Sequence, residues 1–478
     1  MLSFRSLADR LKIQPAATPL QDKAEIARLY RRWRVRVLVA TTGGYALFYL
    51  VRNNLPMAAP AIVARYHFSK TQWGALLSAS TIVYAFSKFF SGVLGDLANP
   101  RYLLGIGLFL SAGVNIIFGF GASLGFFTVF WMLNNAFSGV GVPPCARLLT
   151  HWFSPREIGR AWGIWNSSHQ IGSAIIAVWA GYLVTHFGWR SAFWMPAAVV
   201  IAGSFWLFRN LTDSPESMGL PPIEVHQAYE DSRKVDAILV TAERGEDGSR
   251  SRPEPPGTIE QGQPQAISQG TASEPKPPFW DIFKKHIVTN PGVWVVSIAN
   301  FFVYVVRIGI VSWSPIYLTE AKHLTLFNAG FCVLSFEIAG MFGALTAGWL
   351  SDRVFKGRRG PVSAGFMFVL IGFLLALFRV TNGDVLTLGV LFGGLGFFVY
   401  GPQMLVAVAA TDYSTKIASA TAVGLTGLLG YLGATACGLS TGALVDKFGW
   451  NGAVWLYVGS AVAGCLLLAT TWNRKVGS

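Results

Sequence analysis

The sequence predicts an all-α polytopic membrane protein, with twelve transmembrane helices in two pseudo-symmetric six-helix bundles. Three observations predict it. Of the 478 residues 52% are hydrophobic and only 13% charged, with a mean hydropathy of +0.45, too apolar a balance for a soluble enzyme of this length. Apolar runs of about membrane-crossing length, roughly 20 residues each, recur twelve times. Short motifs from the first half return in the second at a nearly constant offset, as internal duplication requires.

The N-terminal segment, 1–36, carries nine Lys or Arg and ends in Arg31, Arg32, Arg34 and Arg36, just before the first apolar run. Basic residues stay on the cytoplasmic side, so the N-terminus is expected there. No small-residue cleavage site follows a short apolar core, and the first run reads as a retained span. Spans are expected near 37–60, 72–95, 102–122, 125–150, 161–185 and 191–209, forming a first bundle over 37–210. Residues 211–285 are rich in Pro, Gly, Glu, Ser and Gln and read as a cytoplasmic, partly disordered linker. Six more spans follow near 292–319, 327–351, 361–380, 384–410, 417–441 and 452–472, a second bundle over 286–473 that returns the C-terminus to the cytoplasm.

Loop charge tests this topology. The loops after the second, fourth and eighth spans hold Arg101, then Arg156 and Arg160, then Arg353, Lys356, Arg358 and Arg359. The odd loops are poorer in such charge, with Arg65 and Lys70 as exceptions. The net charge of +14 is therefore read as orientation in a bilayer, and a nucleic-acid partner is not expected. The expected setting is the plasma (inner) membrane. Cys145, Cys332, Cys437 and Cys465 lie in apolar segments without CxxC spacing, so neither disulfides nor a metal site is expected. No metal cluster, nucleophile elbow or phosphate loop occurs, which argues against an enzyme and against a cofactor.

Duplication is legible residue by residue. GYLVTHFGWRSAFW at 181–194 matches GALVDKFGWNGAVW at 442–455, an offset of 442 − 181 = 261. Gly92, Leu94 and Asp96 match Gly348, Leu350 and Asp352, an offset of 348 − 92 = 256. The tetrad Tyr49-Leu-Val-Arg52 returns as Tyr304-Val-Val-Arg307, an offset of 307 − 52 = 255. A lone arginine deep in an apolar helix costs at least about 2.5–3.5 kcal/mol. Two of them related by a pseudo-two-fold axis would meet at its centre, where planar donors can clamp a small, doubly charged anion.

Other polar residues fall on the same faces. Tyr45, Tyr49 and Arg52 are spaced i, i+4, i+7; Tyr84 and Lys88 are spaced i, i+4 in the second span, making Lys88 a third candidate cation. WNSSH in the fifth span places Trp165 and His169 one turn apart, with Asn166 on the adjoining edge. A histidine's ordinary pKa of ~6.5 is close to the second phosphate pKa of ~6, so His169 could gain charge as an anion arrives. Glu337 in the eighth span is a candidate ion-pair partner for the arginines, or a coupling acid.

The loop GVLGDLANPR at 92–101, repeated as GWLSDRVFKGRR at 348–359, resembles the Gly-x-Leu-x-Asp motif of the major facilitator superfamily. Within it, YLVRNN at 49–54, SKFFSGVLGD at 87–96, HWFSPREIG at 151–159, WNSSHQIG at 165–172, VYVVRIGIVSWSP at 303–315, FVYGPQML at 398–405 and TGLLGYLG at 426–433 resemble the organophosphate:inorganic phosphate antiporters. CARLLTHWFS at 145–154 and YGPQML at 400–405 are most similar to the hexose-phosphate sensor/permease members. The resemblance implies that Arg52 and Arg307 clamp phosphate and that Lys88, His169, Tyr45, Tyr49, Tyr84, Trp165 and Asn166 line the cavity, with Tyr304, Tyr400 and Tyr431 added from the other half. Asn53 and Ser312 stand where glycerol-phosphate carriers of the branch have a lysine and an aspartate, which weakens an assignment to glycerol 3-phosphate.

The expected function is import of a phosphorylated sugar or related organophosphate in exchange for inorganic phosphate, by alternating access. Asp96 with Arg101, and Asp352 with Arg353, are expected to latch the cytoplasmic side. Two alternatives stay open: a hexose-phosphate sensor with little transport, acting with a membrane kinase, and a proton-coupled organic anion symporter using Glu337.

Overall fold

The computed structural model describes residues 12–232, 283–380, 384–415 and 418–474, and these are almost wholly helical. The first half contains Lys23–Leu50 continued after a break by Asn54–Tyr66, then Lys70–Leu97, Pro100–Phe118, Leu124–Ser138 continued through the short 3-10 turn Gly139–Gly141 into Val142–Trp152, Ile158–Phe187 and Ser191–Asn210. The second half contains Pro291–Glu320, Leu326–Arg353, Arg359–Arg379, Val385–Tyr413, Ser419–Phe448 and Trp450–Ala469. Counting each interrupted pair as one, these are the twelve expected spans.

Local chemistry sets the helix ends. Ser69 and Gln72 form a reciprocal capping box at the start of the second span. Asn99 and Asn290 cap the third and seventh, each followed by proline at the first helical position. The repeated FGW motif marks equivalent stops: Gly188 and Gly449 end the fifth and eleventh spans at φ 82° and 65°, a region glycine enters without a Cβ clash.

Nine of the described helices are individually long and apolar enough to cross a membrane. The first, second and fourth spans are not among them. The first begins in the basic cluster and breaks at 51–53, the fourth is interrupted at 139–141, and the second carries Lys88 at mid-length. Regular helix is relinquished in the first and fourth spans, while the second stays continuous. Arg52 lies in the break itself, whereas Arg307 sits inside the unbroken helix Pro291–Glu320. The repeated tetrads share their Tyr, Val and Arg in sequence and differ in backbone.

A buried amide cluster holds the break open. With the ladder interrupted, the Val51 carbonyl instead accepts from Asn115 Nδ2 and Asn134 Nδ2, both at 2.9 Å. Asn54 donates to Asn115 Oδ1 at 2.8 Å and to the Ala192 carbonyl at 3.0 Å. Asn54, Asn115 and Asn134 are all fully buried, and such groups are tolerated in an apolar bundle only when hydrogen-bonded.

Each half has an apolar core, that of the first extending onto Trp313, Ile316 and Val333 of the second, and they join most closely toward the face bearing the odd-numbered loops. Glycines permit the approach. A Cβ on Gly74 would lie 2.2 Å from the Gly438 carbonyl, and one on Gly442 would lie 2.1 Å from that of Lys70. On the other side of the axis a Cβ on Gly181 would lie 2.7 Å from the Leu326 carbonyl. Gly181 and Gly442 are equivalent in the repeat, so duplication supplied both seams. Polar clasps add to them: Lys70 Nζ pairs with Glu320 at 2.6 Å, and Asp446 accepts from the backbone N–H groups of Lys70 and Thr71 at 3.0 and 2.7 Å.

The linker differs in part from expectation. Residues 211–232 are ordered against the first half: Asp213 is fully buried, paired with Arg147 at 3.3 Å, and accepts from the Gln14 backbone N–H at 2.8 Å. Tyr30 stacks on His226 with centroids 4.0 Å apart. Of the rest of the expected linker, 233–282 lies outside the described residues and 283–285 belong to the helical turn Phe283–Val288.

Candidate functional site

The first span brings Tyr45, Tyr49 and Arg52 to the molecular centre, the second brings Tyr84 and Lys88, and the fifth brings Trp165, Asn166 and His169. From the second half come Tyr304 and Arg307 on the seventh span, Glu337 on the eighth and Tyr431 on the eleventh. All twelve line one cavity of about 310 Å³ between the halves. The two arginines of the repeated tetrad therefore share a single chamber, as their symmetry implies.

Arg52 lies over Tyr84, its guanidinium carbon 3.7 Å from the ring centroid, with Tyr49 at 5.5 Å. Among the described residues no acidic side chain pairs with it. Aromatic faces attract the cation while leaving its in-plane N–H donors for an anion. Arg307 is held otherwise: Nη2 donates to the Tyr400 hydroxyl at 3.0 Å, and Tyr400 donates to Glu337 Oε2 at 2.6 Å. Tyr400 stands behind Arg307 and is absent from the cavity wall, so its role is to orient rather than to line. The expected direct pairing of Glu337 with an arginine is replaced by this relay.

Lys88 reaches across the halves, with Nζ 3.3 Å from the Tyr431 hydroxyl, and Tyr431 touches Tyr84 and Tyr304 at centroid separations of 5.5 and 5.8 Å. Tyr45 packs on Trp165 at 4.8 Å. The His169 ring lies between Tyr49 and Tyr400, at 5.8 and 6.2 Å, and its Nδ1 faces the Asn166 carbonyl. A carbonyl only accepts, so Nδ1 carries the hydrogen and, in the neutral ring, Nε2 is left as an acceptor. Gly172 lets the fifth span close on the first, since a Cβ there would lie 2.5 Å from the Ala46 carbonyl and 2.8 Å from Tyr49 Cβ.

The expected latches fall differently. Asp352 pairs with Arg359, which also reaches Asp412 at 3.0 Å; Arg353 makes no such pair. The reason is positional: Arg359 begins the next helix and faces both acids, while Arg353 is the last residue of the helix that carries Asp352. Arg101 rests over its neighbour Tyr102, 5.4 Å from the centroid, and the Asp96 side chain lies outside the described residues. Among the described residues, the ion pair that joins the halves, Lys70 with Glu320, is on the odd-loop face, which explains why Lys70 departs from the charge rule there.

Sequence reasoning passed over Trp131, Asn135 and Gln403, which also line the cavity. Polar side chains inside apolar spans were the available signal, the one that singled out Lys88 and His169. Asn53 and Ser312, noted as departures, both line the chamber, and Asn53 Nδ2 donates to Ser173 Oγ at 2.8 Å.

Comparison with known proteins agrees with this geometry. Residues 41–436 match the family model of the Major Facilitator Superfamily. The chain is 36% identical to a probable hexose phosphate transport protein of Chlamydia pneumoniae over 95% of its length and 94% of the relative's. It is 36% identical to a glycerol-3-phosphate transporter of Bacillus subtilis, covering 95% of each chain. It is 35% identical to the membrane sensor protein UhpC of Escherichia coli, covering 95% of this chain and 96% of the relative. Among solved structures, a bacterial homologue of the human lysosomal transporter Spinster, in an inward-facing and unoccupied conformation, superposes with a TM-score of 0.67 at 16% identity over 92% of this chain and 95% of that one. The fold, the paired arginines and the full-length relatives lead to one assignment: the chain belongs to the Major Facilitator Superfamily, as a multi-pass membrane transporter of its organophosphate:phosphate antiporter family.

Proposed function

We propose that this protein exchanges inorganic phosphate for a phosphorylated sugar across the plasma (inner) membrane, with its termini and linker cytoplasmic. The observation that carries the proposal is the meeting of Arg52 and Arg307, one from each half, in a chamber where, among the described residues, neither is directly neutralised by a carboxylate. Planar guanidinium groups bind a phosphate through two parallel N–H donors each, and Lys88 adds a point charge. Without an anion the two arginines repel across a low-dielectric cavity and resist further closure. A bound phosphate removes the repulsion and lets the halves rock, so empty return is slow and exchange is obligatory. His169 supplies a neutral contact: with its Nδ1 hydrogen turned to the Asn166 carbonyl, Nε2 accepts from a hydroxyl of the substrate. Asp96, Arg101, Asp352, Arg353 and their neighbours would meet when the cytoplasmic side closes.

The test uses proteoliposomes loaded with phosphate. The parent protein should take up labelled phosphate and lose it on addition of external glucose 6-phosphate. Arg52→Lys and Arg307→Lys, which keep charge and lose the planar fork, should each slow exchange by roughly a hundred-fold. Near-normal counterflow in both variants would sink the proposal.

A second reading is a sensor of hexose phosphate that signals to a membrane kinase, favoured by the 35% identity to UhpC, whose name is that of a membrane sensor. A sensor binds glucose 6-phosphate without exchange, so binding in the absence of counterflow would select it. Proton coupling through Glu337 would instead make uptake collapse with the pH gradient.

A further inference from the structure

We propose that Gln403 reads a hydroxyl of the organic moiety, and so sets the preference for a polyol phosphate over bare phosphate or a carboxylated ester. The inference rests on the phosphate reading of the same cavity.

Four side-chain polar atoms on cavity-lining residues are buried without a hydrogen-bond partner: Arg307 Nε, Trp165 Nε1, Trp313 Nε1 and Gln403 Oε1. The first three are donors. They suit the oxygens of an ionised phosphate, which only accept. Gln403 lines the same chamber with a neutral amide whose oxygen only accepts, and the doubly ionised phosphate of an ester carries no proton to give it. Among the parts of a phosphate ester, a hydroxyl on the organic moiety is what completes the site.

Placement supports the same partner. Gln403 follows Tyr400 by three residues on the helix Val385–Tyr413, one turn along and on the same face. Tyr400 holds Arg307, so an anion clamped by Arg307 has Gln403 within a turn of its anchor. The acid that Tyr400 serves, Glu337, also lines the chamber and would repel a carboxylate on the ester's tail. A neutral acceptor and an acid lining one chamber select for hydroxyls and against carboxylates. A buried acceptor left unpaired is costly, which makes discrimination by a missing hydroxyl steep.

Gln403→Met keeps the length of the side chain without its amide, and Gln403→Asn keeps the amide on a shorter stem. Glucose 6-phosphate, its 2-, 3- and 4-deoxy analogues, 3-phosphoglycerate and inorganic phosphate would each compete against labelled phosphate in proteoliposomes, with ligand-induced thermal shifts in detergent as a readout independent of turnover. In the parent at least one deoxy analogue should bind roughly ten-fold more weakly than glucose 6-phosphate. In Gln403→Met that penalty should vanish, and the affinity of glucose 6-phosphate relative to phosphate should fall about ten-fold, with Gln403→Asn between. An unchanged ratio and an unchanged deoxy pattern in Gln403→Met would overturn the role of Gln403 even if absolute exchange drops. A parent that responds to neither phosphate nor any ester would overturn the phosphate reading itself, and this inference with it.

Discussion

Arg307 and Glu337 are joined through a single phenol: Tyr400 accepts from the guanidinium at 3.0 Å and donates to the carboxylate at 2.6 Å. Glu337 is 1% exposed, so removing the Tyr400 hydroxyl strands a buried carboxylate and frees Arg307 to turn. An orphaned buried group of this kind costs about 1–3 kcal/mol or more when charged. Tyr400→Phe should slow exchange roughly ten- to a hundred-fold. Because the three residues act as a unit, Tyr400→Phe with Glu337→Gln should be little worse than Tyr400→Phe alone. Initial counterflow rates of the two single variants and the double one check this, and simple additivity would refute the relay.

The break at 51–53 depends on Asn115 and Asn134, which replace the missing ladder donor at the Val51 carbonyl. Truncating either leaves the other in place. Truncating both leaves the carbonyl unpaired inside the bundle. Asn115→Ala or Asn134→Ala should each cost about 1 kcal/mol of stability, and the double variant distinctly more than the sum, read as the midpoint of thermal unfolding in detergent. Exchange should fall with it, since Arg52 occupies that break.

These two sites show what the sequence did and did not carry. Duplication told where Arg52 and Arg307 would meet, because equal positions in two copies of one fold share an axis. It could not tell that the copies part company at backbone level. The run from Tyr49 to Pro60 reads as part of one continuous span, 37–60, although the adjacent Asn53, Asn54 and Pro56 are the turn-type residues that mark the interruption. The partners that stabilise it, Asn115 and Asn134, lie on other spans, and such a bond is invisible to periodicity. Tyr400 and Glu337 were each singled out, yet their order relative to Arg307 needed coordinates. Asp352 pairs with Arg359 and not with the adjacent Arg353 by helix geometry alone, which periodicity does not carry.

Docking of residues 211–232 should depend on pH. His226 is 8% exposed and stacked on Tyr30. Burial is the main cause that holds its pKa below the ordinary histidine value; Glu230 and Glu157 oppose the shift and Arg34 adds to it. The docked segment therefore binds fewer protons than the released one, whose histidine titrates near ~6.5. Stability of docking is fully present above that value and is lost as pH falls through it. Limited proteolysis of the linker should accelerate between pH 7.5 and pH 5.5, and His226→Phe, which keeps the stack and cannot charge, should flatten the dependence.

Closure on the odd-loop face rests on glycine seams and on Asp446, which accepts from the Lys70 and Thr71 backbone amides and, at 2.6 Å, from the Thr71 hydroxyl. Its equivalent in the first half, by the offset of 446 − 185 = 261, is Thr185, which bonds its own helix at Gly181 and clasps nothing across the axis. One seam is thus charged and the other is not. Asp446→Ala should release only the charged seam, shifting the population toward a form open on that face. A native reporter exists in Cys437, which lines the chamber from the same helix yet is fully buried. With Cys465 replaced by serine, a membrane-impermeant thiol reagent added from the odd-loop side should label Cys437 several-fold faster in Asp446→Ala than in the parent, and glucose 6-phosphate should alter that rate. Gly442→Val, which forces a side chain against the Lys70 carbonyl 2.1 Å from its Cβ, should act in the same direction and more strongly. Equal labelling in parent and variants would show that the glycine seams and the clasp do not control access to the chamber.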